Sequence, residues 1–232
     1  MAQAAGVHHL EVYPDQPLGG GLEGNFGHHM PAEQRQAVKA MLDQYGLSIQ
    51  AMGVADAKNA ADWRALYTFC KEMGIQYLVV EPEAKLLAEI GRLATEFQIY
   101  TAIHNHPQPS HYWSPEIVLE SIALANSSFV GACADVGHWV RSGLDPVSSL
   151  KTLAGKVMTL HFKDLHQPTA SGSDVVIGEG VLDIEGILNE LSLQGFQGNF
   201  SIEYEDNPST NLPQVRQSIA NLRILLSTNH KE

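Results

Sequence analysis

Short apolar runs alternate with longer amphipathic stretches along the whole of this 232-residue chain. That is the pattern of βαβ units built on a parallel sheet. Seven runs predict strands: residues 7–13, 47–54, 75–81, 99–106, 130–138, 157–163 and 199–204. The amphipathic stretches predict helices over 33–45, 61–73, 85–97, 115–127, 146–153, 184–193 and 212–226. Gly46, Gly74 and Gly195 stand where left-handed helix C-caps belong, and Asp62 and Asp183 where N-caps belong. Trp63, Tyr67 and Phe69 fall on a helical spacing and read as packing groups. The length suits one α/β domain, a (β/α) TIM barrel over residues 1–232, better than two small domains. Such a barrel has eight strands, and the first run here begins almost at the start of the chain. The expectation is therefore a barrel whose first βα unit is missing or truncated. Either strand one is absent, leaving a gap that a neighbouring subunit of a homo-oligomer would cover, or residues 1–6 are the stump of a lost helix. The glycine-rich stretch 18–29 reads as a long loop, over the active face or merely solvated.

Side chains on a strand alternate faces with a period of two, so the inward residues can be picked out. In 157–163, Met158, Leu160 and Phe162 form one apolar face, leaving Thr159, His161 and Lys163 on the other. In 199–204, Ser201 and Glu203 oppose Phe200, Ile202 and Tyr204. The same reasoning groups Gly131, Cys133 and Asp135; Val79 and Glu81; and Ala102, His104 and His106. Five successive strands thus send Glu81, His104, Asp135, His161 and Glu203 to one end of one interior. Any one of these alone is more often a solvated side chain than a ligand. Several carboxylates gathered in an interior are costly unless a cation neutralises them, so the set implies either strongly raised pKa values or, more simply, one divalent metal ion. Mixed imidazole and carboxylate ligation suits manganese, zinc, iron or cobalt rather than calcium, and magnesium stays open.

The formal net charge of −12 would repel a phosphate backbone, and no Lys/Arg run forms a basic stripe, which argues against nucleic acid as a partner. Cys70 and Cys133 lack Cys-x-x-Cys spacing, which indicates neither a disulfide framework nor a thiolate metal site. With no export signal and no apolar run long enough for a bilayer, a cytoplasmic setting and no membrane partner are expected.

Asp135-Val136-Gly137-His138, His161-Phe162-Lys163-Asp164, Gly178-Glu179-Gly180-Val181-Leu182-Asp183 and Ser201-Ile202-Glu203-Tyr204-Glu205 follow one another in order. Together they resemble the motifs of the sugar phosphate isomerase/epimerase family of xylose isomerase-like TIM barrels, over nearly the whole chain. That family includes inosose dehydratases, hydroxypyruvate isomerases, ketose epimerases and endonuclease IV. The resemblance implies a metal held by residues on the last four strands, which carry over to His104, Asp135, His161 and Glu203. It implies that His138 touches substrate and that Glu11, in Leu10-Glu11-Val12-Tyr13, lines the pocket. Many family isomerases have a glutamate as first ligand, paired with the last glutamate to move protons on opposite faces of the substrate. Here Ile103-His104-Asn105-His106-Pro107 resembles instead the His-x-His version of inosose dehydratase-like members. Glu81, one strand earlier, would restore the carboxylate, or serve as a fifth ligand or an ion-pair partner.

The chemistry common to these readings is removal of a proton next to a carbonyl. A metal bound to adjacent substrate oxygens stabilises the resulting enediolate, and a base within hydrogen-bond reach takes the proton. Glu203, Glu81, Lys163 and His138 are the candidates for base and acid. Lys163 is equally an ion-pair partner; His106 is a substrate contact, a supporting group or a ligand. His28, His29, His111 and His166 read as loop residues, and Trp113 and Trp139 as loop anchors or an apolar wall for a sugar ring. Arg141 is the only arginine close after a candidate catalytic strand, so the small carbohydrate-like substrate is expected to be unphosphorylated. An isomerase or epimerase leads, with a metal-dependent dehydratase or lyase close behind. Phosphodiester hydrolysis and a non-catalytic sugar-binding role are the remaining alternatives.

Overall fold

The computed structural model describes residues 2–229 and resolves into two compact units. One comprises Ala2–Ile103 and Ser121–Gly131. The other comprises His104–Glu120 and the chain from Ala132 onward. The described residues contain seven parallel strands: β1 (His9–Val12), β2 (Ser48–Ala55), β3 (Tyr77–Val80), β4 (Tyr100–His104), β5 (Val130–Asp135), β6 (Val157–Phe162) and β7 (Asn199–Ile202). Helices separate them as the amphipathic pattern predicts. No strand precedes β1 among the described residues, where Ala2–Ala5 form a single helical turn. None of their helices is long and apolar enough to cross a membrane.

In the first unit β1, β2, β3 and β4 pair in parallel, with His9 opposite Ser48, Ala51 opposite Tyr77 and Tyr77 opposite Tyr100. The core-facing positions of these strands are mainly apolar, and Ala51, Met52, Leu78, Val79, Val80 and Ile103 are wholly buried. The helix Ala60–Met73 lays Trp63, Leu66, Tyr67, Cys70 and Met73 against the core, the i, i+3, i+4, i+7 spacing of an amphipathic helix. Trp63 and Tyr67 are fully buried, and Phe69 nearly so, so all three are packing groups as the spacing predicts. Tyr67 satisfies its hydroxyl on Thr101 Oγ1 at 2.7 Å. The helix is capped by Asn59, whose Oδ1 accepts from the backbone N–H groups of Ala61 and Asp62, and not by Asp62 itself. Asp62 sits in the first turn and accepts from Asn59 Nδ2, so an amide two residues before the expected helix start outcompetes it. Part of the stretch expected as a loop is ordered: Pro17–Gly19 and Leu22–Asn25 pair as an antiparallel hairpin.

In the second unit β6 lies between β5 and β7, with Asp135 opposite His161 and Ser201 also opposite His161. This register sets the ends of three strands level. β5 is shorter than predicted, ending at Asp135, where the helix Val136–Arg141 begins. The Asp135 carboxylate causes the switch, because Oδ1 accepts the backbone N–H of His138 at 2.8 Å and caps that helix. β6 and β7 also stop earlier than predicted, leaving Lys163 and Glu203 just beyond their last paired residues, although Glu203 still donates its N–H to the Phe162 carbonyl at 3.1 Å. Asp183 caps the helix Ile184–Leu193 as expected, through Gly186.

Candidate metal centre

The groups of the candidate centre belong to the second unit. Asp135 is fully buried at the end of β5, with its backbone clamped by Asn105: Asn105 Nδ2 donates to the Asp135 carbonyl at 2.9 Å and Asp135 N–H donates to Asn105 Oδ1 at 2.8 Å. Its Oδ2 faces His104 Nε2 at 3.6 Å, His138 Nε2 at 3.5 Å and Lys163 Nζ at 3.2 Å. Across β6, His161 Nδ1 lies 3.0 Å from Glu203 Oε2. Lys163 extends beside both carboxylates, 3.2 Å from Glu203 Oε2 and 3.1 Å from Glu205 Oε2. The imidazoles form a cluster: ring centroids are 4.5 Å apart for His104 and His106, 4.9 Å for His104 and His161, and 5.2 Å for His106 and His138.

Local sequence explains how Lys163 enters. A Cβ on Gly137 would stand 2.3 Å from Lys163 Cγ, so the glycine of Asp135-Val136-Gly137-His138 clears the path of the lysine stem. Asp164, next in the chain, points the other way and gathers four backbone N–H groups, from Leu165, Gly178, Gly180 and Leu182. It therefore pins the Gly178-Glu179-Gly180 turn, and a Cβ on Gly180 would meet Asp164 Oδ1 at 2.1 Å.

These charges set one another's protonation. Burial raises the Asp135 carboxyl, but Lys163, His138 and His104 outweigh it and hold the group well below the ordinary carboxylate range. For Glu203 burial also pushes up, and the His161 imidazole 3.0 Å away and the Lys163 charge pull it down to about 2. Burial lowers His138 to about 4; Asp135 opposes that shift and Lys163 adds to it. Lys163 is held above the usual lysine range, because the surrounding carboxylates overcome its desolvation. At neutral pH the site holds ionised carboxylates, a neutral His138 and an ammonium.

The donors fit a divalent cation. One ligand atom each from Asp135, His161 and Glu203 lies within 4.8 Å of the others, and the same is true of His104, Asp135 and His138. Oxygens and nitrogens bound about 2.0–2.2 Å from one ion are spaced in this way. Asp135 Oδ2 and Glu203 Oε2 are also buried without an aligned hydrogen bond, although each has Lys163 nearby, so they retain acceptor capacity for a cation.

The four residues predicted as ligands, His104, Asp135, His161 and Glu203, are thus brought together, with His138, His106 and Lys163 beside them. Glu81 and Glu11 belong to the first unit, where Glu81 is half-buried just past β3 and Glu11 half-buried within β1. Trp139 is fully buried inside its short helix. His28, His29, His111 and His166 are exposed, as loop residues would be.

Four features escaped sequence reasoning. Asn105 stands between the two histidines of the His-x-His run. Cys133 brings its thiol within 4.8 Å of His104 and His161 ligand atoms although no Cys-x-x-Cys spacing announces it. Glu205, beyond the end of β7 and outside the strand period, brings its Oε2 to 3.1 Å from Lys163 Nζ. Arg141, considered only as a phosphate contact, is committed to carboxylates: Nη2 donates to Asp174 Oδ1 at 2.8 Å and Nη1 to Glu205 Oε2 at 3.0 Å.

A family model described as xylose isomerase-like TIM barrel matches residues 1–225. The chain is 28% identical over 153 residues to an inosose dehydratase of Clostridium beijerinckii, covering 58% of this chain and 51% of that protein. The chain therefore spans about half the length of the curated relatives it matches. The crystal structure of an uncharacterised protein from Parabacteroides distasonis is 29% identical, with a TM-score of 0.73, over 95% of this chain and 88% of the other. The structure of IOLI protein with a bound zinc atom shares the fold at 17% identity and a TM-score of 0.74, over 98% and 91% of the two chains.

Proposed function

The chain belongs to the xylose isomerase-like TIM barrel family, and on that premise we propose that it is a metal-dependent dehydratase of a small, unphosphorylated keto-polyol. The observation that carries this reading is the make-up of the cluster. Glu203 is ionised and partly exposed, and the strand end where family isomerases place an opposing glutamate holds His104. One carboxylate base suits elimination, whereas proton transfer between opposite faces needs two. The inosose dehydratase relative points the same way.

Asp135, His161, Glu203 and His104 would hold the ion. When bound, a divalent metal would supply a Lewis acid that stabilises negative charge as it develops on the substrate. The chain's own groups then divide the work. Glu203 takes the proton next to the carbonyl. The C–H electron pair becomes a C=C bond, the β-hydroxyl bond breaks, and the proton held by Glu203 leaves with that hydroxyl as water. Lys163 keeps the carboxylates ionised and, as an ammonium, is not the base. His138 and His106 hold substrate hydroxyls. Arg141 and Lys163 are both tied to carboxylates, which disfavours a phosphorylated substrate and supports a neutral polyol. The same acidic surroundings support a partner that is a small carbohydrate-like molecule and not nucleic acid.

A second reading, a sugar isomerase or epimerase, is favoured by the proximity of an ionised Glu203 to imidazoles that could return the proton to a neighbouring carbon. Incubating the manganese- or zinc-loaded protein with inososes and keto-sugars in deuterated water separates the two. Net loss of water supports the dehydratase. Deuterium exchange with formation of isomers supports the second reading, and saturable binding without turnover under any metal contradicts both.

A further inference from the structure

Arg141 does more than occupy two carboxylates. It lies three residues after His138 in the helix Val136–Arg141, so the two side chains meet on one face, and its Nη1 stands 3.2 Å from His138 Nδ1. A guanidinium has donors and no acceptor, so the nitrogen it approaches must present a lone pair. We infer that Arg141 is a positioning residue that fixes His138 as the tautomer protonated on Nε2, making this histidine a hydrogen-bond donor.

The groups around the ring agree. The other neutral tautomer, with its proton on Nδ1, would set N–H against N–H at the Arg141 contact. On the other edge, Nε2 faces Asp135 Oδ2 at 3.5 Å, an acceptor, and Lys163 Nζ at 3.5 Å. Lys163 does not need a lone pair there, since it donates to Glu205 Oε2 at 3.1 Å and lies in ion-pair range, 3.2 Å, of both Asp135 Oδ2 and Glu203 Oε2. The backbone N–H of His138 is held by Asp135 Oδ1, which fixes the base of the side chain.

Arg141 is itself immobilised. Besides Asp174 and Glu205 it donates Nε to the Gly172 carbonyl at 3.0 Å. Asp174 accepts the Glu205 N–H on its second oxygen, and its own N–H is taken by Asp206 Oδ2 at 2.8 Å. The hairpin segment around Asp174 and the segment after β7 thus converge on one guanidinium, and their placement reaches His138 through it. Resting on the proposed function, this makes His138 the donor to a substrate carbonyl or hydroxyl oxygen and removes it from the candidate bases.

The test is independent of any reaction. Protein labelled with 15N-histidine, metal-free and zinc-loaded, is examined by long-range proton–nitrogen NMR, with the His138 signals assigned by their loss in His138→Gln. The expected result is Nδ1 as an unprotonated nitrogen and Nε2 as a protonated one. Arg141→Met should convert this into a mixture of tautomers, and Arg141→Lys, which keeps a donor, should move it back. A protonated Nδ1 in the wild-type chain, or a spectrum unchanged in Arg141→Met, overturns the inference. If Arg141→Met does not fold, the wild-type spectrum and that of Asp174→Asn, expected to loosen the lock, still decide. A substrate that proves not to be a polyol would sink the functional reading and leave this result standing.

Discussion

The two units use the same strand–helix alternation and treat charge in opposite ways. In the first, the wholly buried strand side chains are mainly apolar and the ion pairs lie on the surface, where Arg64 and Arg92 both reach Glu96 and Arg92 also reaches Glu89. In the second, β5, β6 and β7 end in buried or half-buried Asp135, His161, Lys163 and Glu203, with Arg141 and Asp174 alongside. Exposed pairs are cheap and contribute little, whereas buried charges cost several kcal/mol each to desolvate and are repaid only by close partners. A buried ionic cluster is poor value as a stabilising device, which is why its presence points to ligand chemistry.

Substitutions can break or sharpen that contrast. The largest effect is expected at the ligands: Asp135→Ala or His161→Ala should lower zinc or manganese affinity by more than the roughly 10–100-fold that loss of a supporting residue costs. Calorimetric titration and elemental analysis of the purified variants measure this, and circular dichroism should show the fold retained. Lys163→Met should cost about 3–5 kcal/mol in denaturant unfolding of the metal-free protein, because it strands buried carboxylates. Zinc should recover much of that loss by supplying the missing positive charge. Trp63→Ala, in the apolar core of the first unit, should cost a similar 3–5 kcal/mol, roughly, by cavity formation, with no recovery on adding zinc. At the other extreme, Glu96→Gln should leave the unfolding midpoint unchanged at physiological salt. Metal affinity should also fall with falling pH, as protons compete for the imidazole and carboxylate donors. Titrations at neutral and mildly acidic pH would show it, and an affinity that rises on acidification would contradict the donor set.

Much of this was legible in the sequence because strand periodicity is strict. Once Met158, Leu160 and Phe162 mark one face, His161 and Lys163 must share the other, and the register of β5, β6 and β7 then brings Asp135 and Glu203 level with them. Element ends were less legible, since side chains decide them. Asp135 ends its strand by capping a helix, and Asn59 claims the N-terminus that Asp62 was expected to cap. Contacts between segments distant in sequence were not legible at all. Nothing in the local pattern around Arg141 announces Asp174, 33 residues on, or Glu205, 64 residues on.

The central claim is that His104, Asp135, His161 and Glu203 converge on one divalent cation. Anomalous diffraction from crystals grown with zinc or manganese tests it most directly. A single strong peak at the metal's absorption edge, within bonding distance of Asp135, His161 and Glu203, is the predicted result. A map with no peak there, or with the ion bound elsewhere while Lys163 keeps its place among the carboxylates, would contradict the account.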